Sequence, residues 1–182
     1  HNVIIGGVVF GYFAGYIYWF PKIFGYKLNE RLGRWTFWGW LIGFYVAFMP
    51  LYVLGLMGMT RRLSHYSAAS GWHPYLIVAA CGALIILVGV ICQFLQLYVS
   101  YKNRHLPEYR ADADPWDGRT LEWSIPSPAP FYNFAHIPTV KSIDDFWYQK
   151  QRCQKEGTPR LEPKQYEDVH MPRSTPVGFI IS

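Results

Sequence analysis

Three runs without a single Asp, Glu, Lys or Arg constrain this chain more than anything else: residues 2–21, 35–60 and 63–101. A helix crossing the apolar core of a bilayer needs roughly 20 consecutive, mostly apolar residues. Each run is long enough, so the pattern predicts spanning helices at about 2–21, 36–59 and 74–101. The expected fold is therefore all-α, a polytopic transmembrane helix bundle. Bulk composition hides this. The chain is 51% hydrophobic, yet its mean hydropathy is only +0.04, because a polar stretch, 102–175, dilutes the runs.

That stretch holds 11 of the 17 basic residues and 11 of the 12 acidic ones, so it is close to neutral. The net charge of +5 comes instead from two short loops. A basic nucleic-acid-binding face is excluded on that distribution, and no nucleic-acid partner is expected. The turn-rich Asp112-Ala113-Asp114-Pro115-Trp116-Asp117-Gly118 and the prolines at 126, 128, 130 and 138 predict irregular or extended chain over 106–140. A short amphipathic helix is expected at 142–155, with Ser142 as N-cap and Asp145 at the capping-box position. The chain opens on His1 directly into an apolar run and closes on Val177-Gly178-Phe179-Ile180-Ile181-Ser182, read as the start of a further span at 176–182. Both ends predict a piece of a larger polytopic protein.

Positive charge on short loops marks the cytoplasmic side of a membrane protein. Loop 22–34 carries Lys22, Lys27, Arg31 and Arg34, and Lys102 and Arg104 follow the third run. These segments, 22–35 and 102–175, are expected to be cytoplasmic, and loop 60–73 to lie on the opposite, periplasmic side of a bacterial inner membrane. Tyr18, Trp19, Trp35, Trp38, Tyr98 and Tyr101 then fall at the inner interface, and Trp72 and Tyr75 at the outer one. Within the runs, Gly7, Gly11 and Gly15 recur at spacing four, as do Gly39 and Gly43, which allows a neighbouring helix or a flat cofactor close to the backbone. Pro50 removes a hydrogen bond from the second helix and is expected to kink it.

Phosphate-binding glycine loops, paired-cysteine zinc spacings, a zinc-protease signature and a nucleophile elbow are all missing from the sequence. Cys81 and Cys92, roughly 16 Å apart along one helix, cannot bond, and Cys153 falls in the polar stretch. His65, His73, His105, His136 and His170 read as loop or surface residues. Two features are harder to explain structurally. His1 heads an apolar helix, where a neutral imidazole suits a metal. Arg61-Arg62 sits on the outer side, where the positive-inside bias does not place arginines. An imidazole ligand to an iron porphyrin leaves two propionates, which an arginine pair on the same side would neutralise. An anionic lipid headgroup would satisfy the arginines equally well.

Several blocks resemble subunit I of the haem–copper terminal oxidases, in family order and across the whole chain. They are His1-Asn2-Val3-Ile4-Ile5-Gly6-Gly7, Ala47-Phe48-Met49-Pro50-Leu51-Tyr52, Gly58-Met59-Thr60-Arg61-Arg62-Leu63, Gly118-Arg119-Thr120-Leu121-Glu122-Trp123 and Pro130-Phe131-Tyr132-Asn133-Phe134. Continuation beyond Phe134 through His170-Met171-Pro172 is similar to the bo-type ubiquinol oxidase branch. The resemblance implies a proton-pumping oxidase that reduces O2 to water with electrons from ubiquinol. It implies low-spin haem b, a high-spin haem of o or a type, and copper, the copper ligands lying outside this chain. It implies partner subunits II, III and IV. It implies that His1 is an axial ligand of the low-spin haem iron and that Arg61 and Arg62 hold haem propionates, with no catalytic residue in this stretch, which alone would be inactive. A cytochrome c oxidase of the same family, or a haem-free transporter or structural bundle, are the alternative readings.

Overall fold

The computed structural model describes residues 1–135, 137–157 and 177. His136, His170, most of the further span expected at 176–182 and the stretch 158–175 lie outside them. The regular elements among the described residues are all helical, with one isolated bridge and no strand. Two compact units divide the chain, residues 1–112 and residues 113 onward.

In the first unit, three helices are long and apolar enough to cross a membrane: Ile4–Phe24, Glu30–Leu56 and His73–Lys102. The first is π-helical over Ile4–Val9 and α-helical over Phe10–Phe24 (α1); the others are α2 and α3. Their ends differ from the charge-free runs for local reasons. Pro21 sits in the last turn of α1, and the helix ends only where Gly25 turns left-handed (φ 75°) and donates its N–H to the Pro21 carbonyl. α2 begins six residues before the expected 36, because the Asn29 side chain caps it by accepting from the Leu32 N–H at 3.1 Å. Its first turn, Glu30 to Arg34, is charged but fully helical. Gly58, at φ 87°, closes its far end. Helix α3 starts with Pro74 in its first turn, where the missing N–H costs nothing. α2 continues through Pro50 without interruption.

Helices α2 and α3 pack backbone against backbone, antiparallel. A Cβ on Gly39 would lie 2.7 Å from Gly89 Cα, one on Gly43 2.7 Å from the Ile86 nitrogen, and one on Gly82 2.5 Å from Ala47 Cα. Such close approach is how helices associate in lipid, where apolar burial provides no drive. Helix α1 is held differently, by ring contacts: Phe13 on Trp40 (5.1 Å), Phe10 on Phe44 (6.3 Å) and Gly6 against the Phe44 ring (3.1 Å for an added Cβ). A partly open cavity of about 140 Å³ remains beside it, lined by Phe10, Phe13, Tyr16, Thr36, Trp40 and Gln96 among others.

The α1–α2 connection is tied to the chain after α3. Asn29 N–H donates to Ser100 Oγ (2.9 Å), Asn29 Nδ2 to the Tyr109 hydroxyl (2.9 Å), and Gln96 Nε2 to the Asn29 carbonyl (3.0 Å). Gln96 and Ser100 are buried. An antiparallel bridge joins Tyr26 to Arg110, flanked by Lys27 N–H to the Tyr109 carbonyl and Ala111 N–H to the Gly25 carbonyl.

The second unit is irregular apart from a 3-10 turn at Leu121–Ser124 and one helix, α4, at Asp145–Glu156. It has its own core. Trp123 is 1% exposed and lies on Gly118, where an added Cβ would come 2.7 Å from the indole Cγ. Phe146 of α4 is buried as well. Lys150, with only 9% of its side chain exposed, meets Asp114, Asp117 (3.2 Å) and the Gly118 carbonyl (2.6 Å). Arg119 pairs with Asp144 at 2.6 Å. Ser142 is not the cap of α4. The helix begins at Asp145, and that carboxylate accepts from the Lys141 N–H and from Gln149 one turn on.

Candidate functional site

The features singled out in the sequence gather at one end of the first unit. Before the first helix, the His1 ring stacks on Phe48 of α2, with centroids 5.3 Å apart and planes 20° from parallel. Next to it, Asn2 Nδ2 donates to the Tyr52 hydroxyl. These two contacts fix the helix head against the last two turns of α2. Among the described residues the His1 imidazole has no hydrogen-bond partner, so both of its nitrogens are available.

Arg61 and Arg62 follow the end of α2, in the bend after Gly58. Phe48 lies eight residues before the end of α2, so that end, which the arginines follow, is roughly 12 Å beyond the Phe48 level along the helix axis. Arg62 holds a left-handed backbone (φ 59°), unusual for a side-chain-bearing residue and often a mark of function. Both arginines are exposed, and among the described residues neither has a carboxylate or hydrogen-bond partner. Nothing among the described residues of loop 60–73 neutralises them. Tyr66 in that loop pairs with His73 (2.6 Å) and Ser64 with His65 (3.0 Å).

The first helix keeps an open face. An added Cβ on Gly7 or Gly11 meets nothing within 4 Å, and one on Gly15 meets only Trp19. Val3, Ile4, Val8 and Tyr12 around them are exposed. Among the described residues the glycine stripe is therefore not spent on packing between helices, whereas Gly39 and Gly43 are. The π-helical turn at Ile4–Val9 lies in the same stretch; π turns recur at functional sites. Among the described residues no group of three or more His, Cys, Asp and Glu side chains comes together, so a bare metal ion finds no protein cage here. The donor set fits a porphyrin better: one imidazole, an open apolar face and two free guanidinium groups.

Sequence reading missed two elements. One is the basic cleft between the α1–α2 connection and the end of α3; counted over 102–175 as a whole, its charges cancel. The clustering of Lys27, Arg104 and Arg110 beside span ends was the available signal. The other is the ion-paired core of the second unit around Lys150 and Trp123.

Comparison with known proteins bears on the same residues. The family model for cytochrome c and quinol oxidase polypeptide I matches residues 1–85. Cytochrome bo(3) ubiquinol oxidase subunit 1 of Buchnera aphidicola subsp. Schizaphis graminum is 56% identical over all 182 residues. A probable cytochrome c oxidase subunit 1 of Bradyrhizobium diazoefficiens is 52% identical over 99% of the chain, and ubiquinol oxidase subunit 1 of Acetobacter aceti is 51% identical over 98%. The chain spans about a quarter of the length of these curated relatives, 26–27%. The Bradyrhizobium protein matches nearly the whole chain, so continuation beyond Phe134 does not by itself separate quinol oxidases from cytochrome c oxidases. The chain belongs to the haem–copper oxidase subunit I family, of ubiquinol and cytochrome c oxidases.

Proposed function

We propose that this chain is part of the catalytic subunit of a proton-pumping terminal oxidase that reduces O2 to water with electrons from ubiquinol. The observation that carries the proposal is that His1, stacked on α2 near its end, and two unpartnered arginines just after that end occur in a chain 56% identical to a bo(3) ubiquinol oxidase subunit. In this reading His1 is an axial ligand of a low-spin haem b. Arg61 and Arg62 bind its propionates, or those of the neighbouring high-spin haem of o or a type. A bound haem pair with copper supplies the electron transfer and the oxygen chemistry.

The chain's own residues supply position and charge. Stacking on Phe48 restricts the rotation of the His1 ring, so less entropy is lost when iron is bound. The bond from Asn2 to Tyr52 anchors the first helix beside α2 at the level of the ring. The arginines lie beyond that level, in the outer loop, where propionates can reach them and remain ionised. The Gly7 and Gly11 face leaves room for a flat group against the backbone.

The remainder of the reading concerns the whole protein. Subunits II, III and IV and ubiquinol are its partners, copper is bound by residues outside this chain, and the site is the bacterial inner membrane. Loop 60–73 faces the periplasm, and 22–35 and 102–175 face the cytoplasm. The Bradyrhizobium relative favours a second reading, cytochrome c as the electron donor. Turnover of the purified complex with quinol against reduced cytochrome c decides between them.

The test of the haem assignment is a reduced-minus-oxidised visible spectrum of membranes carrying the complete parent subunit, with and without His1→Ala. Selective loss of a low-spin haem band is expected. A band that survives the substitution removes His1 from the site, and a parent without any haem band removes the oxidase reading.

A further inference from the structure

At the end of the first unit opposite to His1, a cleft of about 500 Å³ is lined by Lys27, Arg104, His105, Pro107, Arg110 and Asp112. Three permanent cations face one carboxylate. That carboxylate is engaged by Lys27 at 3.4 Å. Arg104 lies over the Tyr101 ring (3.9 Å) and gives one N–H to the Tyr101 carbonyl at 3.1 Å, which leaves most of its donors free. Arg110 has no ion-pair partner among the described residues. The positive field reaches the surrounding wall. Burial raises the pKa of the Tyr26 phenol, and Arg104 acts in the opposite direction.

The cleft is built rather than left over. Its two walls are joined by the Tyr26–Arg110 bridge and its flanking backbone bonds. Beneath it the buried Gln96 and Ser100 side chains tie Asn29, and through Asn29 Tyr109, to α3. The guanidinium groups are thus carried on fixed backbone, which lowers the ordering cost of binding. The cleft also lies at the ends of two helices long enough to span a membrane, α1 and α3. Ile23 and Phe24 in the last turn of α1, Tyr98 and Tyr101 in the last turns of α3, and Leu106 next to His105 are exposed.

We propose that this cleft binds the phosphoryl headgroup of an anionic phospholipid, with Arg104 and Arg110 as its principal ligands and these exposed apolar side chains carrying the acyl chains. A phosphoryl group is the anion that two forked guanidinium donors fit best. A free phosphate has the same chemistry, but it leaves most of the volume unfilled and makes no use of the exposed apolar side chains. Basic pockets at the ends of spanning helices are where lipid headgroups dock. The proposal does not depend on the haem assignment.

The test uses the complete parent subunit in its intact complex, solubilised and titrated separately with phosphatidylglycerol, phosphatidylcholine and inorganic phosphate, with bound species counted by native mass spectrometry. The parent is expected to retain at least one phosphatidylglycerol that phosphatidylcholine does not replace. Arg104→Gln with Arg110→Gln should release one such lipid, with an affinity loss at that site of about tenfold or more. Arg104→Lys with Arg110→Lys keeps the charge but not the forked donors, and should hold the lipid less tightly than the parent and more tightly than the Gln variant. If the double Gln variant does not assemble, Arg110→Gln alone carries the comparison. Equal phosphatidylglycerol retention in the parent and in the Gln variants overturns the site. Displacement of the lipid by inorganic phosphate at similar affinity overturns the lipid as its source.

Discussion

Among single residues, charge without a partner is the most informative observation. Arg61 and Arg62 were visible in the sequence as arginines on the side where short loops carry few. What the sequence did not reveal is that no carboxylate in the described chain reaches them, or that Arg62 is held in left-handed backbone. Both facts depend on how loop 57–72 folds, which no local pattern encodes. His1 was legible as an isolated imidazole at the head of an apolar run. Its stacking on Phe48, 47 residues away, was not. A cation near a haem favours the reduced state, which carries one less positive charge. Arg61→Ala in the complete protein is therefore expected to lower a haem midpoint potential, by on the order of tens of millivolts at an exposed site. A redox titration of the membranes reads this directly, and an unchanged midpoint separates Arg61 from the haem.

Whole helices were the most legible part of the chain, because three uncharged runs of that length have few alternative folds. Their ends were less so. A charge-counting rule stops α2 at Trp35, yet Asn29 caps it and the Glu30–Arg34 pair (3.5 Å) bridges its first turns. How the helices meet was half legible. Spacing of four singled out Gly7, Gly11 and Gly15 together with Gly39 and Gly43, and only the second pair turned out to be a helix contact. Gly82 and Gly89 on α3 lie seven apart and escaped that filter, although they are the counterpart surface. Gly82→Ala would place a methyl against the Val46 and Ala47 backbone, where no flexible side chain can yield. A loss of about 1–3 kcal/mol is expected from that overpacking. Gly55→Ala serves as control, because nothing lies within 4 Å of its added Cβ. Thermal unfolding of the intact complex should show a clear fall for Gly82→Ala beside little change for Gly55→Ala. Equal melting temperatures would mean that α2 and α3 do not pack through these glycines.

At the scale of the whole chain, the composition break near residue 102 was legible, but its structural meaning was not. A proline-rich, neutral stretch reads as irregular chain, and over 113–135 it has little regular structure. Yet Trp123 and Phe146 are buried there, and Lys150 joins Asp114, Asp117 and Gly118, residues more than thirty positions apart. Removing one partner of such a nearly buried pair leaves an uncompensated charge, at a cost of about 3–5 kcal/mol. A unit closed by ion pairs of this kind needs water around its charged exterior, and we propose that it lies outside the bilayer. The basic residues of the loops favour one side by number. Lys22, Lys27, Arg31 and Arg34 lie in one connection, against only Arg61 and Arg62 in the other. With alternating spans, that bias supports our proposal that the segment after α3 shares the side of loop 22–34, the cytoplasm. Ala113, the first residue of the second unit, is the position to probe. In the complete protein, Ala113→Cys is expected to resist a membrane-impermeant thiol reagent in intact cells and to react once the cells are opened. A cysteine introduced at Ser64, in the other loop, is expected to react from outside in intact cells. Labelling of Ala113→Cys in intact cells would reverse the topology, and with it the periplasmic placement of Arg61 and Arg62.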